Sequence, residues 1–368
     1  MIDKDELFYL LLLQKVANLG DSSAKKLIRN AGSAKAVFNE KKSTLLKIDG
    51  IGEHRIKELQ SKEYAILAEE EMAFIDKNKI TAIAYQSESY PERLKQCIDA
   101  PILMFQRGNI NLNNKKILSV VGSRNITTYG TAFCEKLIEE LSPLNPIIVS
   151  GFAYGVDITA HKAAIKNGLQ TIACLGHGLN QIYPKTHSKY VNEMENNGGF
   201  FTEFWSSDFF DKNNFLKRNR IIAGISEATI VIESAQKGGS LVTAQIANSY
   251  NREVFALPGK ITDKMSEGCN NLIKTHRANM LTSAADIVYM LNWKLENEKP
   301  KVVQKQLFVE LTEEEKKVYH FLKENPKEVL DIIAIKCELP VYKLTTILLN
   351  MELKGVIRPL PGKIYDLS

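Results

Sequence analysis

One short stretch, Gly122-Ser123-Arg124, combines residue types that bind phosphate groups. It directly follows an unbroken apolar run from Ile117 to Val121, and a helical pattern begins near Thr128. A turn between a strand and a helix places backbone N–H groups beside the positive end of the helix dipole. Arg124 adds a planar guanidinium that is always charged. The stretch therefore predicts a phosphate-binding turn, although it lacks the Gly-x-Gly-x-x-Gly spacing of a dinucleotide site.

Glycine turns recur further along the chain, each after a predicted strand. They comprise Gly151 with Phe152 beside it, Gly176, and the run Lys237, Gly238, Gly239 and Ser240. Ligands of open parallel sheets bind at the carboxyl ends of the strands, and glycines there let another backbone approach closely. Glycines could also simply make short loops. Their repetition along one edge nevertheless favours a phosphate-lined crevice.

Further cations follow the same predicted edge. Lys185 lies in a loop after the third strand, while Arg218, Asn219 and Arg220 lie near the start of the helix after the fourth. Cations near a helix N-terminus are unfavourable for the helix dipole. Their placement therefore indicates either a bound anion or partner carboxylates such as Glu203. A solvated helix start is the simpler interpretation of such a charge run.

Alternating strand and helix patterns position these turns. Strands are predicted at 117–121, 146–150, 170–175, 199–203, 228–233 and 253–257. Helices are predicted near 128–141, 157–167, 187–197, 215–224, 240–250 and 268–276. Short apolar stretches between 80 and 110 indicate an extension that leads into the sheet. This order predicts an α/β fold with a Rossmann-like, doubly wound parallel sheet.

Residues 1–78 predict a separate helical domain of the helix-hairpin-helix or SAM-like type. Two segments share one pattern, Leu19–Leu27 and Ile48–Ile56, and the second carries the Gly-Ile-Gly of a helix-hairpin-helix. Such a hairpin points backbone N–H groups at a DNA phosphate. A compact helical turn without a DNA contact would have the same sequence, so both interpretations stay open.

The sequence after the predicted sheet changes character. An extended Rossmann-like domain is predicted at 79–292, and a polar, lysine-rich linker follows at 293–308. Residues 309–368 then predict a winged-helix domain whose two-strand wing turns at Pro361-Gly362. Its helix at 340–353 carries few cations. Sequence-specific DNA reading by that helix is therefore no better supported than a contact with protein.

Composition limits the class of protein. With 44% hydrophobic and 25% charged residues the chain is typical of soluble globular proteins, and its net charge of +5 fits an anionic partner without requiring one. The five scattered cysteines favour reduced thiols, and the six histidines show no metal-ligand spacing. The N-terminus is too acidic for a signal peptide, and no apolar run is long enough for a membrane-spanning helix, so we expect neither. We expect a cytoplasmic protein without a metal or another cofactor.

Between Ser119 and Asp286 the chain resembles the DNA-processing protein A family (DprA, also called Smf). The segments that carry the resemblance are Val-Val-Gly-Ser-Arg at 120–124, Ile-Val-Ser-Gly-Phe-Ala-Tyr-Gly-Val-Asp-Ile-Thr-Ala-His at 148–161, Gly-His-Gly-Leu-Asn-Gln-Ile-Tyr-Pro at 176–184, Arg-Asn-Arg-Ile-Ile-Ala-Gly at 218–224, Lys-Gly-Gly-Ser-Leu-Val-Thr-Ala at 237–244, Val-Phe-Ala-Leu-Pro-Gly at 254–259 and Gly-Cys-Asn-Asn-Leu-Ile at 268–273. The loop with Trp205-Ser206-Ser207 departs from the family's more usual proline-containing turn.

The resemblance implies a cytosolic homodimer that binds single-stranded DNA and is not an enzyme. It also implies that the protein protects incoming strands during natural transformation and loads a RecA-type recombinase onto them. By position, Arg124 and Lys185 match DNA-binding cations of the family, and Arg218 and Arg220 fall in its Arg-Asn-Arg segment. From the family's habit and the apolar residues there, we expect the dimer contact within 240–285.

A nucleoside monophosphate phosphoribohydrolase is the alternative. Enzymes with related Rossmann-like folds cleave the glycosidic bond of nucleoside monophosphates. They use a Pro-Gly-Gly-x-Gly-Thr turn that is followed by a glutamate. Here the corresponding helix carries Gln245 and no glutamate, so a general acid or base is missing at that position. The sequence therefore favours a binding protein over an enzyme.

Overall fold

The chain folds into two compact units, Met1–Lys294 and Leu295–Ser368. The computed structural model describes residues 2–59, 62–113, 116–294, 311–360 and 364–367. Apart from Trp293 and Lys294, the predicted linker at 293–308 lies outside the described residues, as does the predicted turn at Pro361-Gly362. The domain boundaries inside each unit stay predictions.

The first unit begins with short helices that pack around leucines of the first of them. These helices are α1 (Lys4–Lys15), α2 (Asp21–Ala31), α3 (Ala34–Asn39), α4 (Lys42–Leu45), α5 (Glu53–Glu58) and α6 (Lys62–Lys77). Leu11 and Leu13 of α1 are fully buried. The predicted hairpin lies between α4 and α5, where Gly50 has a φ of 81° that glycine adopts without strain. That this hairpin contacts DNA stays a prediction.

A mixed, mostly parallel sheet forms the centre of the first unit. Its strands are β1 (Thr81–Ala84), β2 (Leu103–Asn109), β3 (Ile117–Val121), β4 (Ile147–Ser150), β5 (Thr171–Cys174), β6 (Gly198–Thr202), β7 (Ala228–Val231), β8 (Glu253–Ala256) and β9 (Asn279–Met280). Within the described chain their order is β1-β2-β6-β5-β4-β3-β7-β8-β9. The pairs β1–β2 and β2–β6 are antiparallel, and all pairs from β6 to β9 are parallel.

The helices between these strands complete the doubly wound arrangement. They are α7 (Glu92–Lys95), α8 (Thr128–Leu141), α9 (Val156–Lys166), α10 (Val191–Asn196), α11 (Lys212–Ile225), α12 (Gly239–Ser249), α13 (Glu267–Lys274) and α14 (Ala284–Met290). Every residue of β3, β4 and β5 is buried, which explains their unbroken apolar runs. The predicted Rossmann-like fold is confirmed. Strand order reverses between β3 and β7, where open α/β sheets bind their ligands.

The second unit has the helices and strands of a winged helix. They are α15 (Glu313–Glu324), β10 (Glu328–Val329), α16 (Leu330–Lys336), α17 (Val341–Leu353), β11 (Ile357–Leu360) and β12 (Ile364–Leu367). A capping box begins α15, since the Thr312 hydroxyl accepts from the Glu315 N–H and the Glu315 carboxylate accepts from the Thr312 N–H. Lys343 of α17 pairs with Glu314, and Lys354 pairs with Glu315. These acidic partners on α15 offset the positive charge near α17, the helix that a winged helix would insert into DNA.

Within the described residues, no helix is long and apolar enough to cross a membrane, and no group of His, Cys, Asp or Glu side chains is arranged for a metal ion. All five cysteines are buried and unpaired. Burial raises the pKa of the Cys134 and Cys174 thiols to about 12. These thiols are therefore protonated packing groups at neutral pH.

Candidate nucleic-acid interface

A crevice of about 430 Å³ lies at the carboxyl ends of β3 and β7. Most of its lining comes from the turn after β3, the middle of α11 and the turn that begins α12, and Ala153, Asp157 and Met265 also line it. Of the residues predicted from the sequence, those that line it are Gly122, Ser123, Arg124, Arg218, Asn219, Lys237, Gly238, Gly239 and Ser240. The structure thus brings together segments that are more than a hundred residues apart in the chain.

The turn after β3 is held against two neighbouring elements. The Ser123 N–H donates to the Glu233 carbonyl at 2.8 Å, and the Val156 N–H donates to the Ser123 carbonyl at 3.0 Å. A Cβ at Gly122 would lie 2.4 Å from Cγ2 of Val156, so only glycine fits there. The backbone of the turn is therefore fixed before any ligand arrives.

Glu233, which the sequence analysis did not single out, organises the same turn. Its carboxylate accepts from the Thr127 N–H at 2.8 Å and also from the Thr127 hydroxyl. Gly130 leaves room for it, because a Cβ there would lie 2.6 Å from Cδ of Glu233. An acidic group at a helix N-terminus is favourable for the dipole. Glu233 thus fixes the start of α8, and only its place at the end of the strand predicted at 228–233 hinted at this.

Arg124 extends from the fixed turn into solvent. Its side chain is exposed, and among the described residues no carboxylate forms an ion pair with it. Two carboxylates that could have served as partners are engaged elsewhere: Asp157 faces Arg218, and Glu203 pairs with Arg220. A permanently charged group that the fold does not use is available to an anion.

Two other predicted cations are exposed as well. Lys185 begins a short 3-10 turn, Lys185–Tyr190, in the loop after β5, and it is not among the residues that line the crevice. Lys237 is exposed just before α12. That helix begins at Gly239 without a side-chain cap, so its first N–H groups have no capping side chain. Lys237 and the start of α12 together suit a phosphate.

Arg218 supports the floor of the crevice from inside. Its guanidinium is buried and donates from Nη1 to the Gly151 carbonyl at 2.8 Å and also to the Cys174 carbonyl. A Cβ at Gly151 would lie 2.5 Å from Oδ2 of Asp157 and 2.6 Å from Nη2 of Arg218. Gly151 therefore makes room for these two opposite charges. Burial raises the pKa of Asp157, while the nearby Arg218 favours its ionised form.

Arg220 lies outside the crevice, on another side of α11. It donates to both carboxylate oxygens of Glu203, at 2.5 and 2.7 Å, and to Oδ2 of Asp21 at 2.9 Å. Only 13% of its side chain is exposed. Its guanidinium thereby joins α2 to the sheet unit. That Arg220 contacts DNA stays a prediction, but the structure gives it internal partners.

The remaining predicted residues are packed rather than open. Phe152 is fully buried with a φ of 71°, and its ring meets those of His187 and Phe200 at centroid distances of 5.3 Å each. A Cβ at Gly176 would lie 3.1 Å from the Phe215 ring. Asn219 donates to the Gly239 carbonyl at 3.4 Å, which ties α11 to the start of α12. At Phe152 only the backbone can reach a ligand.

The crevice does not have the paired carboxylates that glycosidic cleavage would use. Among the described residues that line it, Asp157 carries the carboxylate, and Arg218 faces it. Gln245 is exposed on α12, where the hydrolase pattern would have a glutamate. The arrangement is suited to binding anions through cations and backbone N–H groups.

Two family models match the chain. The model of DNA recombination-mediator protein A matches residues 81–292, which include the whole crevice, and the DprA winged helix domain matches residues 306–363. Protein Smf of Escherichia coli is 34% identical over 298 residues, which cover 80% of this chain and 79% of that protein.

Two solved structures have the same fold. DNA processing protein A of Streptococcus pneumoniae has a TM-score of 0.66 at 31% identity, covering 78% of this chain and 98% of that chain. DNA processing protein A of Helicobacter pylori, described with a single-stranded DNA binding mode, has a TM-score of 0.53 at 27% identity and covers 58% of this chain and 96% of that chain.

Proposed function

Because the chain belongs to the DNA recombination-mediator protein A family (DprA, also called Smf) of DNA-processing proteins, we propose that it binds single-stranded DNA in the crevice between β3 and β7. The observation that carries this proposal is Arg124, an exposed guanidinium without an ion-pair partner among the described residues, on a turn that the fold has already fixed. The Helicobacter pylori relative, which binds single-stranded DNA, supports the same function.

The strand is held mainly by its phosphates. Arg124 and Lys237 are exposed cations that line the crevice, Lys185 is an exposed cation in the loop after β5, and the start of α12 adds backbone N–H groups. Contacts of this kind go to the sugar-phosphate backbone, so they position a strand without reading its sequence. The protein acts as a binding protein, not as an enzyme.

The family resemblance extends the proposal beyond binding. We place the protein in the cytoplasm, where it protects incoming strands during natural transformation and loads a RecA-type recombinase onto them. A strand that lies in an open crevice along one sheet edge keeps part of its length accessible, which is what handover to a second protein needs.

A binding titration with single-stranded and double-stranded oligonucleotides of equal length tests the function. We expect tighter binding of the single strand, and a logarithm of affinity that falls linearly with the logarithm of salt concentration because counterions are released. Each neutralised phosphate adds about −0.7 to the slope for a single strand. Equal affinity for both forms, or binding that does not respond to salt, would overturn the proposal.

We also propose that the protein is a homodimer whose contact lies within 240–285. Val254, Phe255 and Leu272, whose apolar character suggested this region, are core residues in the structure. The same region has other apolar side chains at the surface, since Ile261 is 91% and Met280 is 55% exposed. These two exposed side chains are the better candidates for the contact.

Sedimentation at tens of micromolar is expected to show a dimer. Ile261→Glu together with Met280→Glu should shift it to monomer, because two charges would have to be buried in the contact. Ile66→Glu, a change at an exposed apolar residue of α6, is the matched control and should leave the dimer intact. A wild-type protein that sediments only as monomer at this concentration would rule the homodimer out.

A further inference from the structure

Beside the crevice lies a cluster of aromatic side chains that the proposed phosphate contacts do not use. This aromatic rim consists of Tyr183, Phe209, Phe210 and Phe215. Phe209 is 93% exposed, and Tyr183 and Phe210 are each 44% exposed. Large apolar rings in water are unfavourable, so several of them side by side mark a surface that binds something.

Three of the rings, those of Tyr183, Phe210 and Phe215, contact one another, while Phe209 precedes Phe210 in the chain. The Phe210 centroid lies 4.8 Å from that of Tyr183 and 5.4 Å from that of Phe215, both in edge-to-face geometry. The buried His177 ring stacks below Phe210 at 6.3 Å. Phe210 is therefore held in place while part of its ring stays in solvent. Such a ring is ready to stack with a flat partner at little cost in side-chain entropy.

The aromatic rim is continuous with the crevice. Phe215 belongs to both, since it lines the crevice together with Arg124 and Arg218. Tyr183 lies two residues before Lys185 in the chain, and Phe215 two residues before Lys217. A strand whose phosphates lie on the crevice cations can therefore reach the rim with the bases of the same or neighbouring nucleotides.

The charges around the rim favour a polyanion with flat apolar faces. Lys185 and Lys217 are exposed, and each lies two residues after an aromatic residue of the rim in the chain. The nearby acids are engaged, since Asp208 pairs with Lys15 and Asp211 caps α11 by accepting from the Asn213 N–H. Unpaired nucleobases on a phosphate backbone match this combination, because every base has a π face and stacking on an aromatic side chain does not depend on sequence.

Resting on the proposed function, we propose that the aromatic rim stacks with unpaired bases and thereby makes the crevice prefer single-stranded over double-stranded DNA. Bases of a duplex are stacked on each other and cannot lie on the rings without being unpaired. Phosphate contacts alone would hold both forms, since they carry no information about the bases. The rim would therefore supply selectivity, and the cations most of the salt dependence.

Two single-stranded probes of equal length separate these contributions: an oligothymidine and an abasic oligonucleotide with the same backbone. The wild-type protein should bind oligothymidine about tenfold more tightly, as stacking of one or two bases predicts. In the variant Phe209→Leu with Phe210→Leu, which keeps apolar bulk but removes the flat rings, most of this advantage should disappear. Affinity for the abasic probe and the salt slope should stay as they are.

A matched control is Tyr289→Leu, which removes a ring that is 85% exposed on α14, outside the crevice. It should keep the full preference for oligothymidine. Equal losses for both probes in the Phe209, Phe210 variant, or a wild type that does not distinguish the probes, would overturn the inference. So would conversion of a dimer to monomer by the variant, because the rim would then contact a second copy. A wild type that binds neither probe would overturn the proposed function itself.

Discussion

A variant that combines Arg124→Ala and Lys185→Ala is expected to bind single-stranded DNA about a hundredfold more weakly than the wild type while it stays folded. Each side chain should account for at least about tenfold, since a hydrogen bond to a charged group contributes roughly 1.5–3 kcal/mol. Both side chains are exposed, and among the described residues neither has an ion-pair partner that the change would strand. The melting temperature should therefore change little.

The salt dependence gives a second and independent measurement on the same variant. Each phosphate contact that is lost should flatten the slope of log affinity against log salt by about 0.7, so the double variant should lose about 1.4. The loss should be the same for all sequences, because the contacts are to the backbone. An unchanged affinity and slope in a folded double variant would exclude the crevice as the DNA site.

A second pair of substitutions serves as the control for the loss of net positive charge. Lys136→Ala with Lys166→Ala removes the same formal charge from exposed positions on α8 and α9, outside the lining of the crevice. This variant should retain nearly all of the affinity, because long-range attraction is screened over about 8–10 Å at ordinary salt. Equal weakening by the two pairs would show that net charge matters more than the crevice does.

The fold could be predicted from the sequence because the patterns that indicate it are local. Buried parallel strands are short apolar runs, and Gly122 ends one of them at a turn that has no space for a Cβ. The same local pattern drew attention to Arg124, whose side chain is exposed in the structure. Each prediction needed only a few neighbouring residues.

The roles of the cations on α11 were harder to predict from the sequence, because they depend on partners that are distant in the chain. Arg218 and Arg220 are two positions apart on a helix, which rotates them by about 200° relative to each other. One consequently points to the floor of the crevice and the other to Asp21, which is 199 residues away in sequence. No pattern within α11 shows which of the two arginines faces the crevice and which faces Asp21. Glu233 was overlooked for the same reason, since its partner Thr127 lies 106 residues away.

Replacing Arg220 by methionine is expected to lower the free energy of unfolding by about 3–5 kcal/mol, the usual cost of breaking a buried ion pair. The change keeps most of the side-chain volume but removes the bidentate partner of Glu203, and it leaves Asp21 with the Ile102 N–H and without the guanidinium. For a unit of this size the melting temperature should fall by several degrees. Urea and thermal unfolding of the full chain measure both quantities.

The pH dependence of the variant follows from Glu203. Burial raises the pKa of this carboxyl, and Arg220 is the main influence that favours its charged form. Without Arg220 the folded-state pKa rises further above the value of the unfolded chain. A carboxyl of this kind stabilises the fold at low pH and loses that contribution as pH rises through its folded-state pKa. The defect of Arg220→Met should therefore shrink as pH falls toward about 4.5, the ordinary pKa of a glutamate.

A compensating change tests whether the stranded charge is the cause. Adding Glu203→Gln to Arg220→Met removes the buried charge and should recover much of the lost stability, since an ion pair replaced on both sides is often close to neutral. DNA affinity per folded molecule should stay near that of the wild type in both variants, because Arg220 does not line the crevice. The opposite pattern, a fully stable Arg220→Met protein with weakened DNA binding, would assign Arg220 to the DNA after all. The ion pair with Glu203 would then be a resting contact that gives way when a strand binds.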